Sequence, residues 1–250
     1  MKKRILFFAL LLVTAFGYAQ KEENVEFVPD RPGYTWGADV LAFQKISWEN
    51  GFSHEYDNGT RTSSLSTIVR YGIFNNVELR VGTDFQLLEE PPYETKQFGV
   101  APLTIGTKIK CFEGERFIPS VGVLAEIQSS RVGSANLLPS NIAPHLYLLL
   151  EQTPLESLSL CYNAGLEWDG ESATPTTFLA LGIWISITDD FAGFVETNNY
   201  LHPDGNQYLT SLGFTFSPTS RLQLDIQADF NIKNWSNYYC LGCGIAWMIN

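Results

Sequence analysis

Hydrolytic and metal centres are built around histidine, serine, cysteine and paired carboxylates, so the positions of these residues bound the chemistry open to the chain. Its histidines are His54, His145 and His202, and its cysteines are Cys111, Cys161, Cys240 and Cys243. A nucleophile needs a base within hydrogen-bond reach and a third group to orient that base. No histidine stands beside a serine in a pattern that would present both on one outward strand face, and no spacing of His, Cys, Asp and Glu matches a metal-ligand set. Cys240 and Cys243 form a CxxC, yet three residues along a strand place two side chains on opposite faces, so the pair cannot close on one ion. With Cys111 and Cys161 they read as small packing residues, too few for a disulfide scaffold, although a Cys161 to Cys240 bridge across an interior stays open. The expectation is no catalytic residue, no metal site and no cofactor.

The charged residues are better organised. From Arg221 to Ile232, Leu222, Leu224, Ile226, Ala228, Phe230 and Ile232 share one face of a strand, while Gln223, Asp225, Gln227, Asp229 and Asn231 share the other. About a dozen segments alternate in this way, and beyond the first nineteen residues no apolar run is long enough to cross a bilayer as a helix. Lipid outside and water inside demand that pattern of a closed sheet, so the fold class expected is an all-β, antiparallel transmembrane β-barrel of about twelve strands. The expected strands are 44–56, 61–73, 77–87, 98–111, 117–128, 142–151, 157–168, 176–187, 191–198, 208–216, 221–232 and 238–249.

Three further signals agree. Lys2, Lys3 and Arg4 precede an apolar stretch from Ile5 to Phe16, and Gly17-Tyr18-Ala19 offers a cleavage site before Gln20, which makes 1–19 a signal peptide. A segment over 20–42 is then expected in the periplasm and the barrel over 43–250. Removing the signal leaves 13 basic against 27 acidic residues, a net charge of −14 that gives a nucleic acid nothing to bind. Short connections (Phe74 to Asn76, Phe112 to Glu115, Thr153 to Glu156, Thr188 to Asp190, Ser217 to Ser220) alternate with longer ones (Leu88 to Gln97, Ser129 to Asn141, Asp169 to Pro175, Asn199 to Gln207, Lys233 to Asn237). Short turns inside and long loops outside orient such a barrel, and aromatic residues such as Trp168, Tyr208, Phe117, Phe216 and Trp247 mark its two rims.

Hairpin geometry fixes which residues face inward. A two-residue Asn58-Gly59 turn pairs Trp48 with Val69 and Glu49 with Ile68, and a three-residue Phe74-Asn75-Asn76 turn pairs Arg70 with Arg80 and Gly72 with Glu78. Trp48, Val69, Tyr71, Val77 and Leu79 then face lipid. The lumen lining expected along the chain is Glu49, Arg70, Glu78, Arg80, Asp84, Lys108, Glu126, His145, Glu167, Glu196, Asp225 and Asp229, with Lys110, Tyr147 and Glu151 on the same parity. Glu49, Arg70, Glu78 and Arg80 are expected to pair as a unit, because two facing arginines need carboxylates between them.

Several of these segments also carry a resemblance. Asp30-Arg31-Pro32-Gly33, Trp48-Glu49-Asn50-Gly51-Phe52, Val69-Arg70-Tyr71-Gly72-Ile73 with Asn76-Val77-Glu78-Leu79-Arg80, and Ile105-Gly106-Thr107-Lys108 resemble, in order and spacing, the outer-membrane transporter-like family labelled "putative MetA-pathway of phenol degradation". Pro102, Leu103 and Thr104 stand where an acidic residue is expected, and Asn250 follows Trp247, Met248 and Ile249 where a terminal aromatic is common. The resemblance implies a barrel with a transport role and no particular substrate. The functional expectation is a porin-like channel or transporter for small solutes in the outer membrane of a Gram-negative bacterium, not an enzyme. Its expected partners are outer-membrane lipids, the barrel-assembly machinery and an unidentified solute. The alternatives are a plugged structural or interaction barrel and a lipid-modifying enzyme of the outer membrane.

Overall fold

The computed structural model describes residues 27–92, 95–233 and 236–249, so the expected signal segment lies outside the described residues. The wall begins with β1 (Ile46–Asp57), β2 (Thr60–Phe74), β3 (Val77–Glu90), β4 (Thr95–Val100), β5 (Thr104–Phe112), β6 (Ser120–Gln128) and β7 (Ala143–Leu155). It continues with β8 (Leu158–Glu167), β9 (Thr176–Ser186), β10 (Phe191–His202), β11 (Gly205–Thr219), β12 (Leu222–Asn231) and β13 (Tyr238–Met248). Neighbouring strands pair antiparallel and β13 returns to β1, with Trp247 opposite Trp48, so the sheet closes on itself.

β4 and β5 occupy one position in the wall, which makes it twelve strands round: β3 pairs with β5 near the chain termini and with β4 near the long loops. The strand expected over 98–111 is broken because Pro102 has no N–H to give the ladder. Around the break, Leu103 N–H turns away to the Val132 carbonyl (2.9 Å), and Ser134 N–H reaches the Val100 carbonyl (2.8 Å). The long connection after β6 thus covers the side of β4 that β6 leaves open.

Both registers are as expected, Trp48 pairing Val69 and Arg70 pairing Arg80, but the second turn is corrected from three residues to two, Asn75-Asn76, because Phe74 pairs Val77 and a bulge at Gly72/Phe74 takes up the extra residue. Trp48, Val69, Leu79, Leu224 and Ile226 are exposed on the outer face, whereas Gln223, Asp225 and Asp229 are buried within. The connections Leu88 to Gln97 and Asn199 to Gln207, expected as loops, are largely strand, with pairing continuing to Glu90 opposite Thr95 and His202 opposite Gly205. Alternation of apolar and polar residues ends at the bilayer boundary, but the hydrogen-bonded ladder has no reason to end there. Register shifts at Gly72/Phe74, Lys110/Phe112, Gln152/Leu155 and Phe216/Thr219 all lie at the end of the barrel where the chain begins and ends, bulges that tighten the wall into its short turns.

Candidate functional site

The interior is assembled from two adjoining walls and one strap. On the first wall Arg70 and Arg80 face each other across β2 and β3, both buried. Arg70 donates to Glu78 through Nε (2.9 Å) and Nη2 (2.8 Å), to Glu49 through Nη1 (2.7 Å), and also to the Val28 carbonyl (3.1 Å). Asp30 sits between the cations: its Oδ2 is 2.5 Å from Arg80 Nη1 and 3.6 Å from Arg70 Nε, and its Oδ1 accepts from Lys108 Nζ (2.9 Å). Arg80 Nε lies 3.1 Å from Glu126 Oε1, at an angle that gives attraction without a hydrogen bond. Burial alone would push the Asp30 carboxyl up, but Arg70, Lys108 and Arg80 together outweigh it and hold it well below the usual carboxylate range.

Asp30 belongs to residues 27–45, which form neither helix nor strand and run inside the barrel. The periplasmic placement expected for 20–42 is therefore corrected for 27–42; residues 20–26 lie outside the described residues. The strap is held by wall side chains that accept its backbone N–H groups. Asp30 donates to Glu49 on β1 (3.1 Å) and Gly33 to Gln227 on β12 (2.9 Å). Tyr34 and Thr35 donate to Glu196 on β10 (2.6 and 3.0 Å), and Trp36 to Asn163 on β8 (2.8 Å). Ala38 then reaches Glu151 on β7 (2.9 Å), Asp39 takes Lys110 on β5 (2.6 Å), Leu41 reaches Glu78 on β3 (2.7 Å), and Gln44 N–H ends on the Gly72 carbonyl of β2 (2.8 Å). Read in order, these contacts make one circuit of the inner wall. A buried backbone donor must find an acceptor, and here carboxylates and amides of the wall take the place of a sheet ladder.

Arg31 locks the start of the circuit across the seam where the sheet closes. Its Nη2 and Nε meet Asp225 Oδ1 and Oδ2 (3.1 and 3.3 Å), and its guanidinium lies over Gly51 and Gly244, which pair across β1 and β13. A Cβ at either glycine would collide with that guanidinium. Gly244→Ala should therefore expel Arg31 from its slot, lowering barrel stability by on the order of 1 kcal/mol for this partly exposed pair. An unchanged midpoint of unfolding in detergent, or an undiminished effect of Gly244→Ala on an Arg31→Ala background, would count against the slot.

The second wall is aromatic. Leu124, Tyr147, Leu149, Phe178 and Ala180 are buried on the inner face of β6 to β9, with Tyr34 and Trp36 of the strap and Tyr200 of β10 packed against them. Trp36 meets Tyr147 edge-on (4.9 Å between centroids), Tyr147 meets Phe178 (5.8 Å), and Phe178 meets Tyr200 (5.2 Å). Tyr147 also donates to Glu167 (2.9 Å).

Of the expected lining, Glu49, Arg70, Glu78, Arg80, Lys108 and Glu126 are brought together in the charged wall. Glu196 and Asp225 hold the strap, and Asp229 lies 3.3 Å from Tyr34 Oη. His145 lies between Glu126 and Glu167 in register, half-buried beside Tyr147. Asp84 is half-buried on β3 opposite Ser66, to which Arg31 of the strap reaches (3.5 Å). Asp30, Arg31, Tyr34, Thr35 and Trp36 were not legible as lining, since strand parity says nothing of a segment without strands. All four cysteines are free, so Cys161 and Cys240, both buried, form no bridge.

One expectation fails outside the lumen. His54 Nδ1 lies 3.0 Å from Ser63 Oγ, a cross-strand pair on the outer face near the Asn58-Gly59 turn. The same register that set the lumen places these two residues opposite each other. Among the described residues no carboxylate or amide is hydrogen-bonded to the other ring nitrogen of His54.

The family described as "Putative MetA-pathway of phenol degradation" matches residues 29–249 of the chain. No curated protein matches the sequence. Among solved structures, the COG4313 outer membrane channel from Pseudomonas putida F1 is similar over 92% of this chain and 100% of its own, with a TM-score of 0.65 at 12% identity. The KdgM porin is similar over 81% and 99%, with a TM-score of 0.58 at 12% identity. The NanC porin is similar over 80% and 98%, with a TM-score of 0.54 at 10% identity. These likenesses are likenesses of fold.

Proposed function

The chain belongs to the family described as "Putative MetA-pathway of phenol degradation", and from that premise we propose that it is an outer-membrane channel for small solutes. The observation that supports this reading is a closed barrel with a polar, charged inner face, round which the strap runs in one circuit. The apolar outer face meets outer-membrane lipid, the barrel-assembly machinery inserts the chain after signal cleavage, and the strap end lies toward the periplasm. The interior holds more acids than bases. It is poorly matched to a polyanion such as the oligogalacturonate found with the KdgM porin.

Single-channel recording of the purified mature protein in planar bilayers tests the proposal. Steady conductance is expected, with cations preferred over anions and the preference falling as salt screens the inner carboxylates. Silence at every voltage would overturn the channel, and anion preference at low salt would overturn the acidic pathway. A second reading, a barrel plugged by its own strap, is favoured by the packing of Tyr34 and Trp36 into the aromatic wall. It would be selected if the intact chain were silent and only a strapless one conducted.

No chemistry is proposed. His54 and Ser63 would need an orienting acid and an oxyanion site to act as a lipid hydrolase. A fluorophosphonate probe should leave Ser63 unlabelled in native outer membranes, and Ser63→Ala should leave conductance unchanged. Labelling abolished by Ser63→Ala would revive the enzyme.

A further inference from the structure

Where the long loops gather, a cavity of about 390 Å³ opens between the β1–β2 turn, the start of β9, the β10–β11 hairpin and the start of β13. Its volume falls within the range of small-molecule sites. Five amide side chains line it: Asn58, Asn206, Gln207, Asn231 and Asn237. Two aromatic residues, Tyr200 and Tyr238, line it from within the wall, and Tyr200 continues into the aromatic column through Phe178 to Trp36 on the strap. We propose that this vestibule binds a neutral, polyhydroxylated solute, a sugar or polyol, before it passes to the strap.

The composition of the lining selects that class. An amide offers two donors and a two-lone-pair acceptor on one side chain, which matches a hydroxyl that donates and accepts at once. Asn58 uses one donor on Asp57 Oδ1 (2.8 Å) and Asn206 one on Tyr208 Oη (3.3 Å), so each keeps a donor to give. The half-buried ring of Tyr200 suits the C–H face of a saccharide ring. An apolar aromatic solute could stack equally well, but it would strip water from the amides and return too few hydrogen bonds, a loss that penalises it strongly. Among the described residues an acidic sugar would meet no lysine or arginine in the lining, where His202 is the one basic side chain, and would face Asp57.

The inference deepens the channel reading and rests on it for the direction of transit, while binding itself is measured without conduction. Titration calorimetry of the detergent-solubilised mature chain with maltose, sorbitol, gluconate, choline and phenol should give saturable heats for maltose or sorbitol only. Tyr200→Ala should weaken that binding roughly tenfold. Since Tyr200 also packs in the aromatic wall, Gln207→Ala at the rim is the second variant and should weaken binding several-fold with the barrel unaltered. In bilayers, maltose added from the loop side should then reduce the current. Absence of binding by maltose and sorbitol, tighter binding of gluconate, choline or phenol, or full binding by Gln207→Ala and Tyr200→Ala alike would overturn the site. Saturable binding to a chain that does not conduct would keep the site and discard the channel.

Discussion

Replacing Arg70 by alanine should destabilise the barrel by about 3–5 kcal/mol, the cost of leaving buried carboxylates without their counter-charge. Arg70 is 1% exposed, and Glu49 and Glu78, which it holds at 2.7–2.9 Å, are fully buried. Removing it leaves Arg80 and Lys108 facing Asp30, Glu49, Glu78 and Glu126 in one dry cluster. A double-mutant cycle of Arg70→Ala with Glu49→Gln, read by unfolding in detergent, should show strong coupling, because the second change removes one of the stranded charges. Additive effects would mean that water enters the cluster and screens it, and that the pair is worth no more than a surface one.

Deleting residues 27–41 should raise single-channel conductance several-fold. The strap occupies the inner wall from Asp30 at Arg70 round to Leu41 at Glu78, and with it go Tyr34 and Trp36, which fill space against Tyr147 and Phe178. The deleted chain should still assemble, since all barrel ladders run from Ile46 to Met248. It should be less stable, because Glu196 and Glu151 lose the backbone donors they now hold. A heat-shifted barrel with unaltered conductance would show that the passage is narrowed elsewhere.

The wall was legible in the sequence because a period of two and a two-residue Asn58-Gly59 turn leave a register almost no freedom. Trp48 opposite Val69 and Arg70 opposite Arg80 follow from counting. The same count puts His54 opposite Ser63 on the outward parity, a pair that lies outside the inward set. The strap was illegible for a different reason. Residues 27–45 show neither period, and their contacts lie far away in sequence, as with Tyr34 and Glu196. The one clue was Asp30-Arg31-Pro32-Gly33: two opposite charges ahead of a glycine, in a stretch with no strand to explain them. Asp30 supplies the anion that two facing arginines require, a deficit that could have been noticed from Arg70 and Arg80 alone.

The seam between β1 and β13 joins the first strand made to the last, and it is clasped from within by Arg31, seated on Gly51 and Gly244 and tied to Asp225. The strap is synthesised before any strand, and its contacts then visit the wall in reverse chain order from β12 back to β2. The joint between the two ends of the wall is thus fastened by neither of the strands that form it, but by a residue that precedes them all in the chain.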